Sequence, residues 1–259
     1  MKKVMSMVLI VGMAISASAQ NGNYNTGFEA TDGSGWGTNG AINPWAPNGF
    51  SGTVTGTPGF GNSVRNTGLI LAGLQSAEVS NPSANGSEYT AVRAVSGIKK
   101  LHVATLMAPT LYGGTGQRGF GLVVASGYRL YLAKTGTNAY KLEFTEGAGF
   151  STTTLATFTG SSMENVAHFM SMTLDNSVVG VGAGKATVNF DGTTYTKTWT
   201  VTGTTSPFTS VGMLSRPVSG TSSGTARYDR FSYSTVPEPS SLVLMGTAVV
   251  GLALRRSRR

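Results

Sequence analysis

Three glycine-centred patterns are the first places where this sequence offers chemistry. Gly114-Thr115-Gly116-Gln117-Arg118-Gly119 fits the G-x-G-x-x-G spacing of a dinucleotide loop. Such a loop needs a helix N-terminus behind it to hold a pyrophosphate, and strand-like residues follow here instead. Gly180–Lys185 approaches a phosphate-binding loop, yet Val179 stands where its first glycine belongs and Ala186 where a Ser or Thr would bind magnesium. Gly220-Thr221-Ser222-Ser223-Gly224 matches G-x-S-x-G, but in a Ser/Gly/Thr stretch rather than at a strand-to-helix elbow. With 36 glycines in 259 residues, such matches arise from composition alone.

Acid–base chemistry has little more to work with. Glycoside hydrolysis needs two carboxylates about 5–10 Å apart across a cleft. Glu143 and Glu146 lie where a predicted strand ends and turns, a place that favours solvent exposure, and the E-x-D-x-x-E strand of jelly-roll glucanases is absent. His102 and His168 each sit beside apolar residues in strand-like sequence, which predicts half-buried structural histidines. Two histidines without a third ligand at a fitting spacing do not make a zinc site. The chain contains no cysteine, which removes disulfides, thiolate metal sites and a thiol nucleophile. An enzyme is not expected.

Sugar recognition uses aromatic faces with polar neighbours for the hydroxyls. Trp36, Trp45 and Phe50 stand among Gly, Asn and Thr residues and have two readings: a saccharide platform, or plugs that close the end of a sandwich.

The elements that would position these residues are strands. Short runs with period-two alternation recur from Thr67–Leu74 through Tyr89–Val95, Lys100–Met107, Arg118–Ala125, Tyr128–Lys134, Ala139–Thr145 and Thr153–Phe158. They continue through Phe169–Leu174, Ala186–Phe190, Thr194–Val201, Thr209–Leu214 and Ala226–Tyr233, with one short strand earlier at Gly27–Ala30. Asp191-Gly192 between two runs predicts a hairpin with a type I′ turn, since both residues accept positive φ. No helical period is sustained between residues 20 and 235; Ser161–Ala167 has room for one helical turn. About a dozen strands without a fixed repeat predict an all-β fold, a two-sheet antiparallel jelly-roll sandwich over residues 20–235.

The two ends read differently from this domain. Lys2 and Lys3, an apolar run from Val4 to Ile15 and the small residues Ala17 and Ala19 have the parts of a secretory signal peptide, residues 1–19, removed by signal peptidase after Ala19 and the general secretion machinery. At the other end, Pro237-Glu238-Pro239 precedes an apolar run whose helix, residues 240–254, is roughly 22 Å long, and Arg255, Arg256, Arg258 and Arg259 follow. Arginine snorkelling and local thinning help so short a helix cross a bilayer, with the arginines on the cytoplasmic side. The ends hold six of the 19 Lys/Arg and one of the 11 Asp/Glu, so residues 20–235 carry only +3 of the +8 net charge. A nucleic-acid partner needs a basic face on the folded domain, and none is expected here.

This tail, residues 236–259, resembles the PEP-CTERM sorting signal of exported proteins in Gram-negative bacteria that make extracellular polysaccharide. The resemblance implies that Pro237, Glu238 and Pro239 are recognised by an exosortase-type membrane transpeptidase. It also implies that the helix holds the substrate in the inner membrane before processing and that the arginines stop transfer. Within the domain, Gly27-Phe28-Glu29 and Tyr228-Asp229-Arg230-Phe231-Ser232-Tyr233 are similar to the terminal strands of concanavalin A-like and LamG-like jelly rolls. That resemblance implies first and last strands that pair, and a structural calcium on Glu29, Asp32 and Asp229; the alternative is that Glu29 or Asp229 pairs with Arg227 or Arg230 at the surface. No cofactor beyond that calcium is expected. The expectation is thus a non-enzymatic cell-surface or extracellular-matrix protein, with a polysaccharide-tethering lectin as the alternative and a secreted hydrolase third.

Overall fold

A computed structural model describes residues 23–26, 50–55, 62–65, 71–72, 76–85, 88–114, 117–124, 127–146, 151–201, 208–219 and 222–235. The described strands are β1 (Asn23–Thr26), β2 (Phe50–Thr55), β3 (Asn62–Arg65), β4 (Ser76–Asn85), β5 (Glu88–Ile98), β6 (Lys100–Gly114), β7 (Gln117–Val124) and β8 (Tyr128–Gly136). They continue as β9 (Ala139–Glu146), β10 (Ser151–Thr159), β11 (His168–Asp175), β12 (Gly180–Phe190), β13 (Thr193–Val201), β14 (Phe208–Ser219) and β15 (Ser222–Thr235).

These strands form two antiparallel sheets. One runs β13-β12-β11-β6-β15-β4-β3, with β1 also on β15; the other runs β10-β9-β8-β7-β14-β5-β2. The expected all-β jelly-roll sandwich is what forms. Alternation sorts each strand between its faces: Tyr128, Leu130 and Leu132 of β8 and Tyr140, Leu142 and Phe144 of β9 join the core with Met170, Met172 and Leu174 of β11. Burial of these apolar rows, each fully buried side chain contributing about 1.5–3 kcal/mol, holds a cysteine-free chain together.

The Asp191-Gly192 hairpin forms as its residues dictate, with φ of 47° and 86° and Phe190 opposite Thr193. Around Ser161–Ala167 no helix forms; the chain turns at Glu164–Asn165, where Asn165 takes φ 59° and its N–H donates to the Pro109 carbonyl at 2.8 Å.

The expected strand at Thr67–Leu74 is not found in its described part. Leu71 and Ala72 bend, because their amides are taken by side chains: Leu71 N–H by Ser76 Oγ at 3.0 Å and Ala72 N–H by Asp229 Oδ2 at 2.9 Å. The strand instead is β4, a polar run containing Pro82, which sits where the β4–β15 register shifts between Asn81 and Asn85.

Candidate functional site

The domain's first described strand pairs with its last: Tyr24 lies opposite Tyr233 and Thr26 opposite Phe231. One edge of β15 follows β6 for its whole length, while the other passes from β4 to β1. At that handover the β6 register slips between Asp229 and Ser232, and Arg230 adopts φ 47°. Asp229 is 1 % exposed and holds the irregularity together: Oδ1 accepts from Arg230 N–H at 2.7 Å, and Oδ2 from Ala72 N–H at 2.9 Å and Ser76 Oγ at 3.2 Å.

Asp229 is therefore not at the surface, and Arg227 pairs with Glu78 at 3.0 Å. Both Asp229 oxygens already serve N–H and O–H donors, which a calcium ligand would have to release. Among the described residues no group of three or more His, Asp or Glu is arranged to hold a metal ion. Glu29 and Asp32, like Trp36 and Trp45, lie outside the described residues. Phe50 opens β2, opposite Arg93 of β5.

The densest polar chemistry stands on the outer face of the seven-stranded sheet. Because Leu130 and Leu132 face the core, Tyr131 between them faces outward, as do Glu143 on β9 and Arg216 on β14. The register aligns Leu214, Gly121, Tyr131 and Glu143 across four strands, with Arg216 opposite Gly119 in the next row. A Cβ on Gly119 would lie 2.3 Å from the Tyr131 ring, so glycine is what lets the ring lie flat. The Arg216 guanidinium lies over the ring, 4.9 Å from its centre.

Glu88 takes a forked bond from Arg129, at 3.0 Å from Nε and 3.0 Å from Nη2, and Arg216 Nε stands 3.9 Å away. The Tyr131 hydroxyl meets Glu143 and Thr152. Burial pushes its pKa up to about 12, with Arg216 opposing and Glu143 adding to the rise. Glu143, expected in solvent, is 7 % exposed. Its Oε2 and the Nη1 of Arg216 are buried without a hydrogen-bond partner.

Arg118, a component of the first glycine pattern, is a buried core residue at 1 % exposure. It donates through Nε to Ser215 Oγ at 2.6 Å, through Nη1 to the Ser222 carbonyl at 2.9 Å and through Nη2 to the Ser215 carbonyl at 3.2 Å, so it joins the two sheets. Tyr228 beside it donates to the Leu214 carbonyl at 2.7 Å, and burial pushes its hydroxyl pKa far up. In all three glycine patterns the flanking residues form strands, with no helix N-terminus for a phosphate.

The expected half-burial holds for His102, while His168 is buried outright. His168, 5 % exposed, stacks on Phe190 at 5.3 Å, with Nδ1 2.6 Å from Asp191 Oδ2 and Nε2 3.2 Å from the Met163 carbonyl. His102 meets Thr173 Oγ1 at 2.9 Å, and burial lowers its pKa. Sequence reading missed the plug that closes one end of the sandwich. There Tyr128 packs against Trp199 at 5.1 Å and Phe208 at 5.6 Å, while Asn176 donates to the Tyr128 hydroxyl at 2.9 Å and accepts from Trp199 Nε1 at 3.1 Å. The aromatic types were visible; their convergence from β8, β13 and β14 was not.

Comparison with known proteins finds a PEP-CTERM protein-sorting motif at residues 235–259. The motif marks an exported protein processed at the membrane, with an exosortase as processing partner. No curated protein is similar in sequence. Similar solved structures include the alginate lyase Aly36B, 11 % identical over 62 % of this chain and 81 % of that one, with a TM-score of 0.46. A PL-14 alginate lyase from Aplysia kurodai is 13 % identical over 68 % and 87 %, with a TM-score of 0.46. The carbohydrate recognition domain of Emp47p is 11 % identical over 74 % and 90 %, with a TM-score of 0.42. None of these likenesses carries an activity over to this chain.

Proposed function

We propose that this chain is a non-enzymatic protein of the Gram-negative cell surface or extracellular matrix, freed of its signal peptide after Ala19 and cut by an exosortase-type transpeptidase at Pro237-Glu238-Pro239. In this reading the helix 240–254 is a temporary membrane anchor, and Arg255, Arg256, Arg258 and Arg259 hold its cytoplasmic end. The observation that carries it is the sorting motif beginning at residue 235, where β15 ends, so the folded domain passes straight into the processing signal. A structural role is supported by the state of the polar groups. His168 is engaged at both ring nitrogens, and Asp229 accepts from two backbone amides. Replacement of Pro237, Glu238 and Pro239 by alanine should leave full-length protein in the inner membrane. Normal release of that variant would reduce the tripeptide to a linker.

A second reading, a lectin-like module tethering extracellular polysaccharide, draws support from Arg216 Nη1 and Glu143 Oε2, two buried polar atoms on one face that await hydrogen-bond partners. Affinity electrophoresis through acidic and neutral polysaccharides, with Arg216→Ala and the expected platform variants Trp36→Ala and Trp45→Ala, tests it. Retardation lost in any of the three would place the sugar; mobility unchanged by every polysaccharide would remove the reading. A secreted hydrolase stands third, and release of reducing ends from such polymers would be its sign.

A further inference from the structure

Among the described residues five large apolar side chains are exposed: Val166 and Phe169 lie near the start of β11, and the three others, including the two most exposed, stand together at the opposite rim of the eight-stranded sheet. Val178 is 61 % exposed, Val179 49 % and Val181 92 %, in the connection from β11 into β12. The outward projection has a local cause. Gly180 pairs with Val201 and Gly184 with Trp199, so three residues, 181–183, stand against one on β13 and are forced out of the ladder. Gly180 and Gly182, at φ 148° and 68°, make that bulge.

Three lysines stand at the same end of the sheet. Lys185 is exposed on β12, and Lys99 and Lys100 form the β5–β6 connection at the same rim, where Asn176 N–H donates to the Lys99 carbonyl at 2.9 Å. The rim's carboxylate, Asp175, is paired with Lys100 at 3.1 Å, and no ion pair engages Lys99 or Lys185 among the described residues.

The sorting tail leaves from this same rim. Asp175 lies opposite Lys100 and Thr235 opposite Leu101, on the two sides of the start of β6. Two strand spacings, about 10 Å, separate them. Residues 236–241 link Thr235 to the apolar run, and six residues reach at most roughly 20 Å. A chain anchored by that run therefore keeps this end of the sandwich, the rim included, close to the bilayer.

We propose that the Val178–Val181 segment and the lysines at its rim dock on an anionic lipid surface while the tail is membrane-anchored, the valines entering the headgroup–acyl boundary and Lys99 and Lys185 meeting lipid phosphates. Apolar insertion combined with basic flanks is the chemistry that holds a soluble face to such a surface. The proposal rests on the tail being a membrane anchor. It adds a second contact that holds the domain at a fixed angle and presents residues 236–239 close to the membrane, where a membrane transpeptidase acts.

The absence of cysteine makes the test clean, since one introduced thiol is the sole labelling site. Full-length Val181→Cys and, as a control at the opposite end, Thr193→Cys would carry an environment-sensitive fluorophore in phosphatidylglycerol-containing vesicles with a nitroxide-labelled lipid. We expect the label at 181 to shift blue and be quenched, the label at 193 to do neither, and quenching at 181 to weaken with high salt, in phosphatidylcholine alone or with Lys185→Gln. Equal, unquenched signals at both positions in protein that resists alkaline extraction would overturn the docking and leave the anchor standing. Protein released by alkaline extraction would overturn both. A label at 181 that is shielded but not quenched by lipid, with disulfide-linked dimers of the unlabelled variant, would assign the loop to a second copy and overturn the lipid proposal.

Discussion

The two ends of the sandwich are closed by different chemistry. At the end where the tail departs, Tyr128, Phe144, Trp199 and Phe208 fill the gap between the sheets, and Asn176 joins Tyr128 to Trp199. At the other end polar pairs share the closing with a smaller ring stack, Phe158 on Phe190 and Phe190 on His168. His168 meets Asp191, Lys134 meets Glu164, and the Tyr140 hydroxyl lies 3.3 Å from Ser162 Oγ. Aromatic closure depends on buried area and shape, whereas polar closure depends on paired groups in a partly wet setting. The first should tolerate salt and be sensitive to truncation. The second should be weaker per contact and responsive to charge.

Substitutions at the two ends put that contrast to work. Trp199→Ala should have the largest effect, about 3 kcal/mol in urea unfolding, because it removes ring contacts and leaves Asn176 Oδ1 without its donor. His168→Ala should cost about 2 kcal/mol through two lost hydrogen bonds and the stacking on Phe190; a loss equal to that of Trp199→Ala would erase the distinction. Lys134→Met should stay within about 1 kcal/mol, the range of an ion pair open to solvent, and the difference should shrink in high salt.

His102 gives a pH signature. Burial lowers its folded-state pKa, so its contribution is present above the unfolded value of about 6.5 and is lost as pH falls through the folded value. Thermal melts from neutral to mildly acidic pH should decline less steeply in His102→Gln. Smallest of all, Val181→Ser should change stability by less than about 0.5 kcal/mol, since that side chain is 92 % exposed.

What the sequence revealed and what it concealed divide along the range of the interactions involved. Asp191-Gly192 was legible because a type I′ turn needs only two adjacent residues tolerant of positive φ. The strands β8 and β9 were legible because alternation records a buried face locally. By contrast, β4 was hidden: its residues are polar, it contains Pro82, and its place depends on Asp229, 153 residues beyond Ser76. Arg118 read as one charge in a glycine loop because its acceptors, Ser215 and Ser222, lie about a hundred residues away. Glu143 read as solvated because it lies where a predicted strand ends and turns, yet Tyr131 and Arg216 from neighbouring strands crowd that face and leave it 7 % exposed. The destination written in residues 235–259 was legible for the reason β4 was not: a sorting motif is read by another protein as linear sequence.

The place of β15 in the chain has a consequence for the order of events during export. It is the last strand before the sorting motif, yet β6, β4 and β1 all pair with it. On the signal-peptide export route proposed above, the chain crosses the membrane from its N-terminus and delivers those partners first and their shared neighbour last. Until Thr235 has emerged, the eight-stranded sheet lacks its organising member, so folding completes only as the processing signal arrives at the bilayer. Delivery of the substrate and maturation of its domain are thereby timed by a single strand.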